Sequence, residues 1–364
     1  MIAAPQQIAW ISVKIHPITE TINRALDAAG LVRHSATGAT DVRAVIDRAL
    51  QAAGLSALHP PSTVPSPAKT APRASAEPTG TGEFLSLSHA SEHGSRDYLL
   101  YVPSIYIGQP MPLIVMLHGC KQNPIDFATG TRMNALAERH GFLVAYPSQT
   151  ARSNGANCWN WFERSQQDRD GAEPSLIAGI AKDIAASYAV QRGKVFVAGL
   201  SAGAAMAVIL GRAYPDVFAA VASHSGLPLG AAHDVGTAFA AMHRGAAEAA
   251  HDDAPGVRTI VFHGDADATV NERNGAAIVD QAVQAFERHG TALQRLTRLD
   301  AECGGRRCTS STFTDASDRV LVEHWRVHGA AHAWSGGDAA GSYADAAGPD
   351  ASAEIVRFFL ELPE

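Results

Sequence analysis

From Tyr98 onward, short runs of consecutive apolar residues alternate with longer stretches in which apolar positions recur every three or four residues. Tyr98 to Val102 reads as a strand. LIVMLHG, from Leu113 to Gly119, is a continuous apolar run ending in a turn, the pattern of a strand buried on both faces. The period becomes helical from about Asp126 to His140 and returns to a strand in FLVAYPS. A helix near Pro174 to Tyr188 follows, then the strand VFVAG (195 to 199), a helix from Ala202, and the strands VFAAVAS (217 to 223) and RTIVFHG (258 to 264). A helix near Asn274 to Arg288, the strand VLVEHWRV (320 to 327) and a last helix over 351 to 361 complete the series. This alternation predicts an α/β fold with a mostly parallel central sheet and helices on both faces.

Upstream the pattern is different. Residues 1 to 56 form an N-terminal helical segment in the prediction, because INRALDAAGL from Ile22 and IDRALQAAGL from Ile46 each read as a short amphipathic helix ending in glycine. Residues 57 to 82 are rich in Pro, Ser, Thr and Ala with almost no large apolar residue, the composition of a linker. The folded domain is therefore expected over 83 to 364. Of all 364 residues, 46% are hydrophobic and 18% charged, which suits a packed core. The net charge of −7 is scattered, with no Lys or Arg run to follow a phosphate backbone, so nucleic acid is excluded as the expected partner. An uncharged or weakly charged substrate fits better. No stretch of 18 apolar residues predicts a membrane-spanning helix.

Gly199-Leu200-Ser201-Ala202-Gly203 matches G-x-S-x-G between a strand pattern and a helix pattern. That setting projects a serine hydroxyl above the sheet, and the alternative is a glycine-rich helix start with a capping serine. A serine hydroxyl needs a base, itself oriented by a third group. In the α/β-hydrolase fold the partners follow in the order Ser, acid, His, each in a loop after a later strand. Asp267, in the turn after RTIVFHG, is the expected acid, with Asp265 of the same turn as competitor. His332, in GAAHAWSGG after VLVEHWRV, is the expected base. His324, His328 and His332 are spaced by four, as metal ligands on a helix are, but the strand-like alternation makes helical spacing the wrong measure. No metal or cofactor is implied. The oxyanion hole is expected from the backbone N–H groups of Ala202, at the start of a helix, and of Cys120 in HGCKQ.

LHGCKQ, NCWNWF, GLSAGAAM, HGDADATV and GAAHAWSGG, in that order, closely resemble the polyhydroxybutyrate depolymerase family of esterases, related to feruloyl and acetylxylan esterases. The resemblance covers about residues 83 to 362. It implies Ser201, Asp267 and His332 as a catalytic triad and Cys120 and Ala202 as the oxyanion hole. It also implies a bond from Cys120 to Cys158, leaving Cys303 and Cys308 as a second pair, although four cysteines by themselves allow three pairings. Two disulfides favour a secreted or periplasmic protein, yet the N-terminus shows no basic segment before a long apolar run, as a secretory signal would.

The expected function is hydrolysis of carboxylic esters through an acyl-serine, on short 3-hydroxyacyl esters or soluble polyhydroxybutyrate-type polyester. A feruloyl or acetylxylan esterase is the nearest alternative, and a non-catalytic binding protein on a hydrolase scaffold a distant one. Trp159, Trp161 and Trp334 adjoin the catalytic motifs and are candidate walls of the substrate pocket.

Overall fold

The structure is a computed structural model, described over residues 81–246 and 253–361, all within one compact unit, Ala68–Glu364. The expected N-terminal helices and nearly all of the linker lie outside the described residues.

Ten strands form one sheet. They are β1 (Glu83–Ser91), β2 (Gly94–Val102), β3 (Met111–Leu117), β4 (Leu143–Pro147), β5 (Val190–Leu200), β6 (Ala220–His224), β7 (Arg258–Gly264), β8 (Gln294–Cys303), β9 (Arg306–Thr314) and β10 (Val320–Val327). Their spatial order is β1-β2-β4-β3-β5-β6-β7-β10-β9-β8. The six central strands, β4 to β10 in that order, run parallel, and an antiparallel pair extends the sheet at each edge.

Side chains alternate faces along a strand, and the core divides accordingly. Leu113, Val115 and Leu117 of β3 join Val197 and Val261 against α3 (Ala172–Ser187), α4 (Ala202–Ala213) and α6 (Arg273–Arg288). Ile114 and Met116 join Phe196, Ala198, Ile260 and Phe262 against α1 (Pro124–Thr131), α2 (Met133–His140) and α7 (Ala351–Leu360). The remaining helix, α5 (Val235–Arg244), precedes β7 and begins with a capping box at Asp234 and Thr237.

Several expectations need correction. The helix expected over Asp126 to His140 is two helices, because Arg132 between them has φ 53° and its left-handed backbone ends the first. The strand expected from 217 begins at Ala220, and β5 starts earlier than 195. β1, α5 and the β8–β9 hairpin are additions to the expected series. QRLTRLDAEC and RRCTSSTFT lack an apolar run because the hairpin sits at the sheet's end, where Leu296 stays exposed.

The second disulfide is also corrected: Cys303 and Cys308 are not joined. They lie on neighbouring strands, but Cys303 faces Arg306 and Cys308 faces Asp300. A register shift between Asp300 and Cys303 separates the two pairings, so the two cysteines are not cross-strand partners.

Candidate active site

Parallel strands present their carboxyl ends along one edge of the sheet, and the loops there carry the chemistry. Ser201 stands between β5 and α4 with φ 56° and ψ −117°, a conformation that costs a non-glycine residue on the order of 1–3 kcal/mol. Its backbone is held from two sides. Its N–H donates to His224 O at 2.9 Å, and its carbonyl accepts from Ala205 N at 3.0 Å. The flanking glycines allow this tight return. A Cβ on Gly203 would come within 2.1 Å of Leu117 O, and one on Gly199 within 2.3 Å of the Gly203 carbonyl carbon. Helix α4 therefore packs directly on the backbone of β3.

Asp267 lies in the turn after β7, with its carboxylate fully buried. Oδ1 accepts from Thr269 N at 2.9 Å and Val270 N at 2.8 Å, while Oδ2 is 2.7 Å from His332 Nδ1. Burial would raise this carboxyl, but the hydrogen bond and charge of His332, with smaller help from His263 and Val270 N–H, leave it below the ordinary value. Asp267 thus faces His332 as an ionised acceptor, which sets a proton on His332 Nδ1 and leaves Nε2 as the basic nitrogen.

Asp265, the competitor, holds a different histidine. Its Oδ2 is 2.7 Å from His328 Nδ1, and its Oδ1 accepts from Gly329 N at 2.7 Å. His328 Nε2 in turn meets Thr309 Oγ1 at 2.9 Å. The pair ties the end of β10 to the turn after β7, upstream of His332. His324 sits on β10 with Nε2 unpartnered, and burial pushes its pKa down to about 4.

The loop after β3 is fixed by side chains. His118 Nδ1 meets Gly119 O at 2.8 Å and its Nε2 accepts from Gln149 N at 3.1 Å, so the ring is the neutral Nδ1–H form. Burial pushes its pKa to about 4, in agreement. Gln122 Oε1 accepts from Gly119 N at 2.9 Å, and its Nε2 donates to Asp126 Oδ2 at 3.0 Å and Ser342 O at 2.9 Å. Among the described residues, neither Cys120 N–H nor Ala202 N–H donates to another protein group, so both stay available to an incoming oxygen.

The Cys120–Cys158 disulfide joins this loop to the segment leading to Trp161. That segment rests on a buried polar network. Glu173 accepts from Asn160 N and Asn160 Nδ2, each at 2.8 Å, and from Gln149 Nε2, while Arg96 donates to Gln149 Oε1 and Ser148 O.

The three tryptophans do not serve as expected. Trp159 and Trp334 are 0% and 1% exposed, and Trp161 is 5% exposed, so none offers much surface to a ligand. Trp159 Nε1 donates to His118 O at 3.0 Å, bracing the loop after β3 from behind. Trp334 Nε1 donates to Ser352 Oγ at 3.0 Å, and its ring stacks on His224. The large rings fill the core beneath the loops they adjoin.

Sequence reasoning missed His224. Its carbonyl accepts Ser201 N–H, its Nε2 accepts Ser335 N–H at 3.0 Å, and its ring lies between Phe262 and Trp334. Burial pushes its pKa to about 3, so it stays neutral and links the Ser201 turn to the His332 loop. A histidine ending an apolar strand, as in AVASH, is the only local signal.

A central parallel sheet clasped between helices, with a strained serine turn after β5 and acid and histidine loops after β7 and β10, defines an α/β-hydrolase. The chain belongs to the Esterase PHB depolymerase family, whose pattern matches residues 96–301. It is 31% identical to the Poly(3-hydroxyalkanoate) depolymerase C of Paucimonas lemoignei, over 66% of this chain and 58% of that one. To Feruloyl esterase B of Talaromyces funiculosus it is 29% identical, over 49% of this chain and 55% of that one. The chain thus spans little more than half the length of these curated relatives. The acetyl xylan esterase from Aspergillus awamori has the same fold, with TM-score 0.58 and 19% identity over 76% of this chain and 99% of that one.

Proposed function

We propose that the protein is a serine esterase, with Ser201 as nucleophile, His332 as general base and Asp267 as its orienting acid. The observation that carries this reading is the strained Ser201 turn sharing the carboxyl edge of the sheet with the 2.7 Å Asp267–His332 pair. Ser201 Oγ attacks the ester carbonyl while His332 Nε2 takes its proton. The developing oxyanion is met by the N–H groups of Cys120 and Ala202, the latter at the positive end of α4. The tetrahedral adduct collapses, the alcohol leaves with the proton from His332, and an acyl-serine remains. Water, deprotonated by the same nitrogen, then releases the acid.

The substrate class is short 3-hydroxyacyl esters or soluble polyhydroxybutyrate-type polyester, supported by the family and by the depolymerase relative. A feruloyl or acetylxylan esterase is the second reading, favoured by the Talaromyces relative. Hydrolysis of 3-hydroxybutyrate oligomers, p-nitrophenyl acyl esters, methyl ferulate and acetylated xylan by one preparation separates the two: preference for the oligomers is expected, and preference for ferulate or xylan acetate would overturn it. Ser201→Ala should stay folded and lose about 10⁶ in kcat on any ester the protein accepts. Substantial residual turnover would remove Ser201 from the mechanism.

A further inference from the structure

One buried histidine beside the acid has no part in the mechanism above. His263 is the penultimate residue of β7, just before the Asp267 turn, with its side chain 1% exposed. Its Nε2 is 2.8 Å from Val270 O, an acceptor only, so Nε2 carries a proton. Its Nδ1 is buried with no partner, against Gly275, where a Cβ would come within 2.7 Å of it. A proton on Nδ1 would be an unpaired donor on a buried cation, which is far costlier than an unpaired lone pair. The ring is therefore the neutral Nε2–H form.

This N–H acts on Asp267 in two ways. Val270 receives the His263 bond at its carbonyl and gives its own N–H to Asp267 Oδ1 at 2.8 Å, so the histidine clamps the residue that clamps the acid. The same Nε2 is also 3.6 Å from Asp267 Oδ2, the oxygen that holds His332. We propose that His263 is a positioning residue for ester hydrolysis, a permanently neutral donor that holds the Asp267 carboxylate in register with His332. This rests on the triad reading given above.

The charges around the carboxylate fit this assignment. The titratable groups facing Asp267 are His332, His263 and His224; those facing His263 are Asp267, His332, His224 and, from β10, His324. Burial lowers His263, His224 and His324, leaving all three neutral. The one negative charge in the cluster is then unopposed except by His332, the ring that must accept a proton during turnover. A charged His263 would compete with His332 for that carboxylate.

The test compares His263→Phe, which keeps a ring but no donor, with His263→Gln, whose amide nitrogen reaches about as far as Nε2. His263→Phe should lower kcat about 10²-fold, the loss that a misplaced catalytic group brings, with KM little changed. The acid limb of kcat/KM, which follows protonation of the base His332, should move to higher pH, because the Asp267 carboxylate without the His263 N–H beside it binds the charged form of His332 more tightly. His263→Gln should recover most of the kcat and return the acid limb. A folded His263→Phe with unchanged kcat and pH profile would overturn the proposal. So would equal losses in both variants with an unmoved acid limb, which would leave His263 a packing role only.

A second measurement needs no His263 variant to fold. In ¹⁵N-histidine spectra of the full chain, the His263 ring should carry its proton on Nε2 and stay neutral at the pH where an ordinary imidazole is half protonated. A ring charged at that pH, or a proton on Nδ1 alone, would refute the assignment. Failure of the esterase reading would show separately, as full activity in Ser201→Ala with the His263 spectrum unaltered.

Discussion

Two aspartates two residues apart each take a histidine, and the partner of each decides what its loss should do. Asp267 is buried, bonded to His332 and held by two backbone N–H groups, whereas Asp265 is bonded to His328 at the rim. Asp267→Asn should cost on the order of 10⁴ in kcat, because an amide can present its NH₂ to His332 Nδ1 and select the wrong tautomer. Asp265→Asn should cost far less, since it loosens the Gly329 turn without touching the His332 ring. Steady-state kinetics of the two variants check the ranking, and the reverse order would transfer the acid's role to Asp265. Both carboxylates were visible in HGDADATV as candidates. What the motif did not contain was the partner of each, since His328 and His332 come from a strand end 60 or more residues later.

Among the elements, the loop after β3 is braced by side chains and a disulfide. Gln122, Trp159 and the Cys120–Cys158 bond hold it from three directions. The bond closes a loop of 38 residues, worth about 4 kcal/mol by loss of unfolded-chain entropy. Replacing both cysteines with Ala should lower Tm and also reduce kcat, since the Cys120 N–H then loses its fixed position and a misplaced oxyanion donor costs about 10²–10³-fold. Replacing Cys303 and Cys308 should leave kcat nearly unchanged. Alkylation of the unreduced protein followed by mass spectrometry gives the first check: one Cys120–Cys158 bond, with Cys303 and Cys308 modified once the protein is unfolded. A bond between Cys303 and Cys308 would contradict the hairpin register. Trp159, Trp161 and Trp334 show the same lesson in packing terms. Proximity in sequence to catalytic motifs placed them near the site, and their volume placed them under it.

For the whole molecule, the sheet with its helices and edge loops contains every group the proposed mechanism uses. Removing residues 1–80 should therefore preserve turnover of small soluble esters. A folded, inactive truncation would assign the upstream segment a part in the pocket. The sequence by itself determined the order of the central strands along the chain and most of the covering helices, because a strand buried on both faces must be a continuous apolar run, as in LIVML and RTIVF, and a covering helix repeats its apolar positions. It also located Ser201 through Gly199 and Gly203, since only glycine permits helix α4 to pack on the backbone of β3. Such signals are local. Only the tertiary structure decided that Asp267 and Asp265 divide two histidines between them, that Cys303 and Cys308 are out of register, and that His224 and His263 are neutral rings bracing the site. Each of these depends on which strands become neighbours and how deeply a polar ring is buried, and neither quantity is written in the residues adjacent along the chain.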